Sequence, residues 1–198
     1  MTADTLPPLA PIPEVLSFLA ARRSRPAKTL SADAPEAAEI RRLIAIAARS
    51  PDHGKLEPWR FVVLSRGGLD RLALAAEVRA VERAMAPEAA AKAVANFRYG
   101  GAAVAVIASP RASDKIPDWE QALSAGAVCM QLLTAALAAG WGANWLTGPF
   151  AADEAFLTGA LGTAPGEYVA GFIHLGRETA VPPERPRPNL DAVVTWID

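Results

Sequence analysis

Residues 49–64, RSPDHGKLEPWRFVVL, constrain the fold more than any other stretch of the chain. Ile40, Leu43, Ile44 and Ala47 lead into it at helical spacing, and a β-type apolar run, residues 61–64, leads out. Pro58 pushes Glu57 toward extended backbone, so the helix cannot run on into the strand. The run at 61–64 reads as a strand buried on both faces. Between the two elements sits a polar loop with Arg49, His53, Lys55 and two prolines. Loops held between core elements carry many ligand contacts. The same pattern also suits a helix-to-strand connector with solvated charges.

Around this stretch the chain reads as one folding unit. Its 198 residues are 52% hydrophobic and 21% charged, a balance that can bury a sizeable core and argues against disorder. Residues 1–13, with four prolines and no periodicity, read as a flexible N-terminal arm, and residues 14–198 as a single domain. A net charge of −1 and no long basic cluster exclude a nucleic-acid footprint. The single cysteine, Cys129, precludes an intramolecular disulfide and lies in an apolar helical run, as a buried inert thiol would. One Cys and two His argue against a Cys/His zinc site, and no metal site is expected. Residues 122–139 are apolar but interrupted by Ser124, Gln131 and Thr134, so no membrane span is expected. No basic stretch precedes an apolar core at the N-terminus, which leaves the cytoplasm as the expected location.

Helices are expected at 14–23, after a capping box formed by Asp33 and Glu36, and at 69–85, 88–99, 118–139 and 153–161. Further strands are expected at 102–108, 143–146 and 168–175. A strap at 181–188 holds four prolines and precedes a last β-type run at 193–197. No Gly-x-Gly-x-x-Gly or Walker loop follows a strand, so a Rossmann domain is unsupported. The order of elements predicts an α+β fold, a mixed central sheet packed by helices.

Several residues carry possible chemistry. Arg22, Arg23 and Ser24 end the first helix, and two guanidinium forks with a hydroxyl suit a phosphate. They equally suit a solvated helix end that complements the macrodipole. His53 reads as a general base, a ligand contact or an ordinary loop histidine. Trp145, Leu146 and Thr147 end a strand before Gly148-Pro149, and Trp145 also reads as plain core. Glu120, near a helix start, is accounted for by the dipole alone. Arg185 and Arg187 in the strap could reach a phosphate late in the chain.

The stretch Arg-Ser-Pro-Asp-His-Gly-Lys-Leu-Glu-Pro-Trp-Arg-Phe resembles the loop after the second helix of flavin-dependent nitroreductases. It is most like the small single-domain bacterial NAD(P)H nitroreductases. Arg22-Arg23-Ser24, Trp119-Glu120-Gln121 with Ser124-Ala125-Gly126, and Gly140-Trp141-Gly142-Ala143-Asn144-Trp145 agree with that family in order and spacing. The resemblance implies the nitroreductase fold, FMN as cofactor and NAD(P)H as co-substrate. It implies that Arg22, Arg23 and Ser24 meet the FMN phosphate and ribityl chain, and that Trp145, Leu146 and Thr147 lie against the flavin. Arg49 and His53 would reach FMN from the second subunit of a homodimer, whose C-terminal strands extend to each other's sheets. Some relatives carry Trp-Arg-Ser, so Leu146 and Thr147 depart from the pattern and no side-chain charge is available at 146. The implied activity is ping-pong reduction of nitroaromatic or similar small electron-poor acceptors. In that scheme the cofactor performs the chemistry, and no catalytic residue is nominated. The alternatives are a flavin-binding or interaction protein without turnover, and a flavin reductase acting on quinones, enones or halogenated aromatics.

Overall fold

The computed structural model describes residues 8–197. Residues 8–12 are irregular and exposed, and the remainder of the expected N-terminal arm lies outside the described residues. The chain then runs α1 (Pro13–Ala21), α2 (Ala37–Ala47), β1 (Trp59–Ser65), α3 (Arg66–Glu82), α4 (Pro87–Ala95) and β2 (Ala102–Ala108). It continues with α5 (Asp118–Ala138), β3 (Gly142–Leu146), α6 (Glu154–Leu161), β4 (Tyr168–Gly176) and a single turn, α7 (Leu190–Val193).

Four strands form one sheet in the order β1-β2-β4-β3. The α+β class is as expected, but the sheet is not mixed, because every neighbouring pair is antiparallel. The reason lies in how the connections share the sheet. Both β2 and β3 are antiparallel to β4, so they run in the same direction with α5 as their crossover. The slot between them is filled by β4. Crossover helices between isolated strands suggest parallel pairs, yet here the parallel strands are never adjacent.

Helices cover both sheet faces. On one, α2 and α5 bury Val104, Val106, Ile173 and Leu175. On the other, α3, α4 and α6 bury Ala103, Ala105, Ile107 and Phe172. β2 and β4 each lie between two strands and two helical layers, and every residue of β2 is buried. β1 lies at the sheet edge, so the expectation that residues 61–64 are buried on both faces is corrected: Phe61 and Val62 are half-buried and Val63 is 49% exposed. The capping box is also absent. α2 starts one residue after Glu36, which makes no side-chain cap, while the Asp33 carboxylate accepts from Arg177 Nε at 3.2 Å. The expected C-terminal β-type run, residues 193–197, forms no strand in the single chain. Asn189 caps the turn α7 by accepting from Asp191 N–H at 3.1 Å, and residues 194–197 are irregular. Trp196 and Ile197 are 87% and 93% exposed and pair with no strand among the described residues.

Cys129 is buried, and burial pushes its thiol up to about 12, an inert group as expected. His174 on β4 is fully buried as well. Its Nδ1 lies 3.2 Å from the carbonyl oxygen of Tyr99, and its Nε2 has no partner among the described residues. Burial drives the imidazole from 6.5 down to about 4, aided by Arg66 and opposed by the Tyr99 contact. The folded chain therefore resists a proton that the unfolded chain accepts. This contribution is complete above pH 6.5 and is lost as pH falls toward 4, by roughly 3 kcal/mol. Glu167, held down to about 2 by hydrogen bonds from Arg60, titrates mainly below 4.5, so its own contribution is lost below the interval from 6.5 to 4.5. Urea midpoints should fall through that interval in the parent chain, and fall less in His174→Leu. A level parent profile would refute the assignment.

Candidate functional site

The C-terminal end of α1 delivers Arg22, Arg23 and Ser24 beside β3. There the N–H of Arg25 donates to Ala143 O at 2.9 Å, and Asn144 Nδ2 donates to Arg25 O at 2.8 Å. These two bonds fix the segment along the strand. A cavity of about 250 Å³ opens between Phe18, the three arginines, Trp141 and Glu178. Arg22 reaches Ser24 Oγ at 3.5 Å, while Arg22 Nε and Arg23 Nη1 are buried without a partner among the described residues. Burial, then Arg187 and Arg25, lowers the Arg22 pKa from its ordinary value. Arg25 is paired with Glu178, and Arg187 Nη2 with Glu184 Oε1 at 2.8 Å. Half-buried guanidinium groups that crowd one another and leave N–H groups unused have the chemistry to accept an anion.

β3 is an edge strand, and its outer side continues this corner. The Ala143 carbonyl points outward, since it accepts from Arg25 rather than from β4. By alternation along an antiparallel edge, the backbone groups of Trp145 also point away from β4, and Thr147 follows the end of the strand. The edge of the Trp145 indole approaches Gly171, where a Cβ would overlap it, and Nε1 donates to Ala170 O at 3.1 Å. Its ring is thus tied to its own sheet. Leu146 is half-buried, and Thr147 is exposed.

Arg49 and His53 lie elsewhere. Arg49 is exposed at the end of α2. His53 opens a 3-10 turn, His53–Lys55, in which φ is +71° at Gly54 and +53° at Lys55. Glu57 stands at +47° instead of the extended backbone expected before Pro58. Such left-handed residues persist where neighbours over-determine them. Here Asp52 accepts from Leu56 N–H at 3.2 Å and from Glu57 N–H at 2.7 Å. A Cβ at Gly54 would fall 2.6 Å from Ile116 Cδ1. Ser124 Oγ donates to Pro51 O at 2.7 Å and accepts from Trp59 Nε1 at 3.1 Å. His53 Nδ1 lies 2.6 Å from Glu120 Oε1.

Six of the eight site residues read from the sequence therefore share one edge of the chain, and Arg49 and His53 do not join them. The two groups sit at opposite ends of α5: the arginine corner touches Leu137 and the His53 loop touches Glu120. Seventeen residues of helix separate those positions by roughly 25 Å. One chain cannot close all eight around one small ligand.

Sequence reasoning missed the residues that hold the parts in place. Arg25 and Glu178 complete the arginine corner from segments far apart in sequence. Gln121 is buried, donates to Arg111 O and Ile116 O, and accepts from Arg111 N–H at 2.8 Å, so it secures the loop before α5. The Trp119-Glu120-Gln121 and Ser124 motifs were the available signal: Glu120, Gln121 and Ser124 each clamp a loop, and Trp119 is exposed.

The sequence profile described as "Nitroreductase family" matches residues 19–177. "Putative NAD(P)H nitroreductase YdjA" of Escherichia coli K12 is 31% identical over 164 residues, 82% of this chain and 87% of that protein. A Haemophilus influenzae protein with the same description, "Putative NAD(P)H nitroreductase", is 33% identical over 165 residues, 82% of this chain and 88% of its own. Among solved structures, a nitroreductase-like family protein from Bacillus cereus superposes with a TM-score of 0.75 at 21% identity, covering 96% of this chain and 99% of that one. A nitroreductase with bound FMN from Bacteroides fragilis gives 0.74 at 18% identity, covering 93% and 99%. At such identities these two structures speak for the fold.

Proposed function

This chain belongs to the nitroreductase family, and on that premise we propose that it is an FMN-dependent NAD(P)H oxidoreductase that works as a homodimer. The observation that carries the reading is the pair of buried guanidinium nitrogens on Arg22 and Arg23, unpartnered among the described residues, beside the outer edge of β3. They fit FMN by its chemistry. A phosphate would meet Arg22, Arg23 and Ser24, while the polar rim of the flavin ring would meet backbone groups of Trp145 and Thr147. Those backbone contacts survive the loss of a charge at Leu146. Bound FMN would supply hydride transfer from a nicotinamide to a small electron-poor acceptor such as a nitroaromatic, in two successive half-reactions. The chain's own task is to bind, orient and shield.

Two features support the dimer. Arg49 and His53 are too far from the arginine corner to serve the same ligand in one chain, whereas a twofold partner can bring them to it. The lone chain also exposes apolar side chains in separate patches: Val15, Leu16 and Leu19 of α1, Trp119, Leu123 and Met130 of α5, and the C-terminal tail.

Anaerobic titration of the purified protein tests the reading. A yellow protein should be bleached by NADH or NADPH and recoloured by a nitroaromatic. Recolouring by quinones, enones or halogenated aromatics alone would reassign the acceptor. A yellow protein that neither nicotinamide bleaches would favour a binding protein without turnover. A colourless protein that takes up no FMN would overturn the proposal.

A further inference from the structure

The contact between His53 and Glu120 has a consequence for the site beyond holding a loop. The two residues are 67 apart in sequence, and their heavy atoms are 2.6 Å apart, the length of a strong charge-assisted bond. An ionised carboxylate only accepts, so Nδ1 must carry the proton in this bond. A neutral imidazole has one ring N–H. With it committed to Glu120, Nε2 keeps its lone pair and becomes an acceptor. The ring is also more exposed than the carboxylate that holds it, at 61% against 33% for the two side chains. Nε2 has no partner among the described residues of its own chain.

The surroundings fix the ring's root as firmly as its tautomer. Left-handed backbone at Gly54, Lys55 and Glu57, the Asp52 side-chain bonds and the Ser124 bond to Pro51 leave the loop little freedom. Both Ser124 and Glu120 belong to the first two turns of α5, so one rigid helix sets the position of the loop and the state of the ring together.

We propose that Glu120 is a positioning residue that keeps a proton of His53 on Nδ1, so that the ring carrying a single N–H presents Nε2 as a hydrogen-bond acceptor to the partner subunit's flavin. This rests on the flavin reading given above. The groups Nε2 can accept from are the donors of FMN, namely the imide N–H of the ring and the ribityl hydroxyls. A histidine in the other tautomer would offer a second donor in place of an acceptor and lose that bond.

The chain has only two histidines, so long-range ¹H–¹⁵N correlation spectra of the imidazoles can be assigned with His174→Leu. The parent protein should show His53 with a protonated Nδ1 and a bare Nε2. Glu120→Ala should shift His53 toward the Nε2–H form that free side chains prefer, while Glu120→Gln, whose amide oxygen still accepts, should retain the Nδ1–H form. Apo-protein should bind FMN about three- to tenfold more weakly in Glu120→Ala, as for one lost hydrogen bond, and Glu120→Gln should restore it. A loop merely loosened by the alanine variant would lower affinity without changing the tautomer. A bare Nδ1 or a doubly protonated ring in the parent protein overturns the proposal, as does an unchanged tautomer or unchanged FMN affinity in Glu120→Ala. If the parent protein takes up no FMN at all, the flavin reading falls and the acceptor role with it, while the spectra still decide whether Glu120 sets the tautomer.

Discussion

Replacing Arg22 or Arg23 by alanine is expected to weaken FMN binding by ten- to a hundredfold in at least one of the two variants. The magnitude is that of one charge-assisted hydrogen bond, about 1.5–3 kcal/mol. The structure adds an effect of the opposite sign. Burial, Arg187 and Arg25 all disfavour the charge on Arg22, so without an anion this guanidinium is a burden to the fold. Apo Arg22→Ala should thus melt no lower than the parent apo-protein, while the loaded variant loses the stabilisation that tight ligand binding confers. Fluorescence titration of apo-protein with FMN and melting curves with and without FMN measure both. Equal FMN affinity in the parent and both variants would return the pair to a solvated helix end. A large loss of apo stability in Arg22→Ala would show that the side chain is structural.

Removing residues 188–198 is expected to do more damage, because it attacks dimer and site together. Leu190, Val193, Val194, Trp196 and Ile197 are exposed in the lone chain. Burying side chains of this size contributes about 1.5–3 kcal/mol each, so the tail can hold a large share of a dimer's stability. Beyond its short turn, α7, it has no sheet partner among the described residues of its own chain. Arg187, which immediately precedes the deleted segment, also reaches the arginine corner. The shortened protein should lose dimer by light scattering and flavin by absorbance in parallel. A shortened protein that stays dimeric and yellow would mean that the tail plays no part in the interface.

Much of the fold was legible because its elements are written locally. Apolar spacing located every α-helix except the turn α7, and β-type, largely apolar segments located all four strands. What failed depended on neighbours that no local pattern encodes. Residues 61–64 are as apolar as a central strand, but β1 is at an edge because the last strand took the central slot beside β2. Asp33 and Glu36 have the spacing of a capping box, yet Arg177 claims Asp33 from across the chain. Val193–Ile197 has the composition of a strand, but Asn189 starts a helical turn and the run pairs with no strand among the described residues. The site followed the same rule. The motif residues stood out by type, but the work of Glu120, Gln121 and Ser124 is done across loops, and the orphaned nitrogens of Arg22 and Arg23 exist only after burial.

The roughly 25 Å that α5 sets between the arginine corner and the His53 loop carries a genetic consequence on the proposed reading. Each site in the dimer would draw the corner from one chain and the loop from the other. A chain damaged in the corner and a chain damaged in the loop are then two different defects. Mixed in one cell, they would assemble pairs in which one site inherits both lesions and the other inherits neither. Two inactive alleles would complement each other, whereas two lesions at the same end of α5 never would.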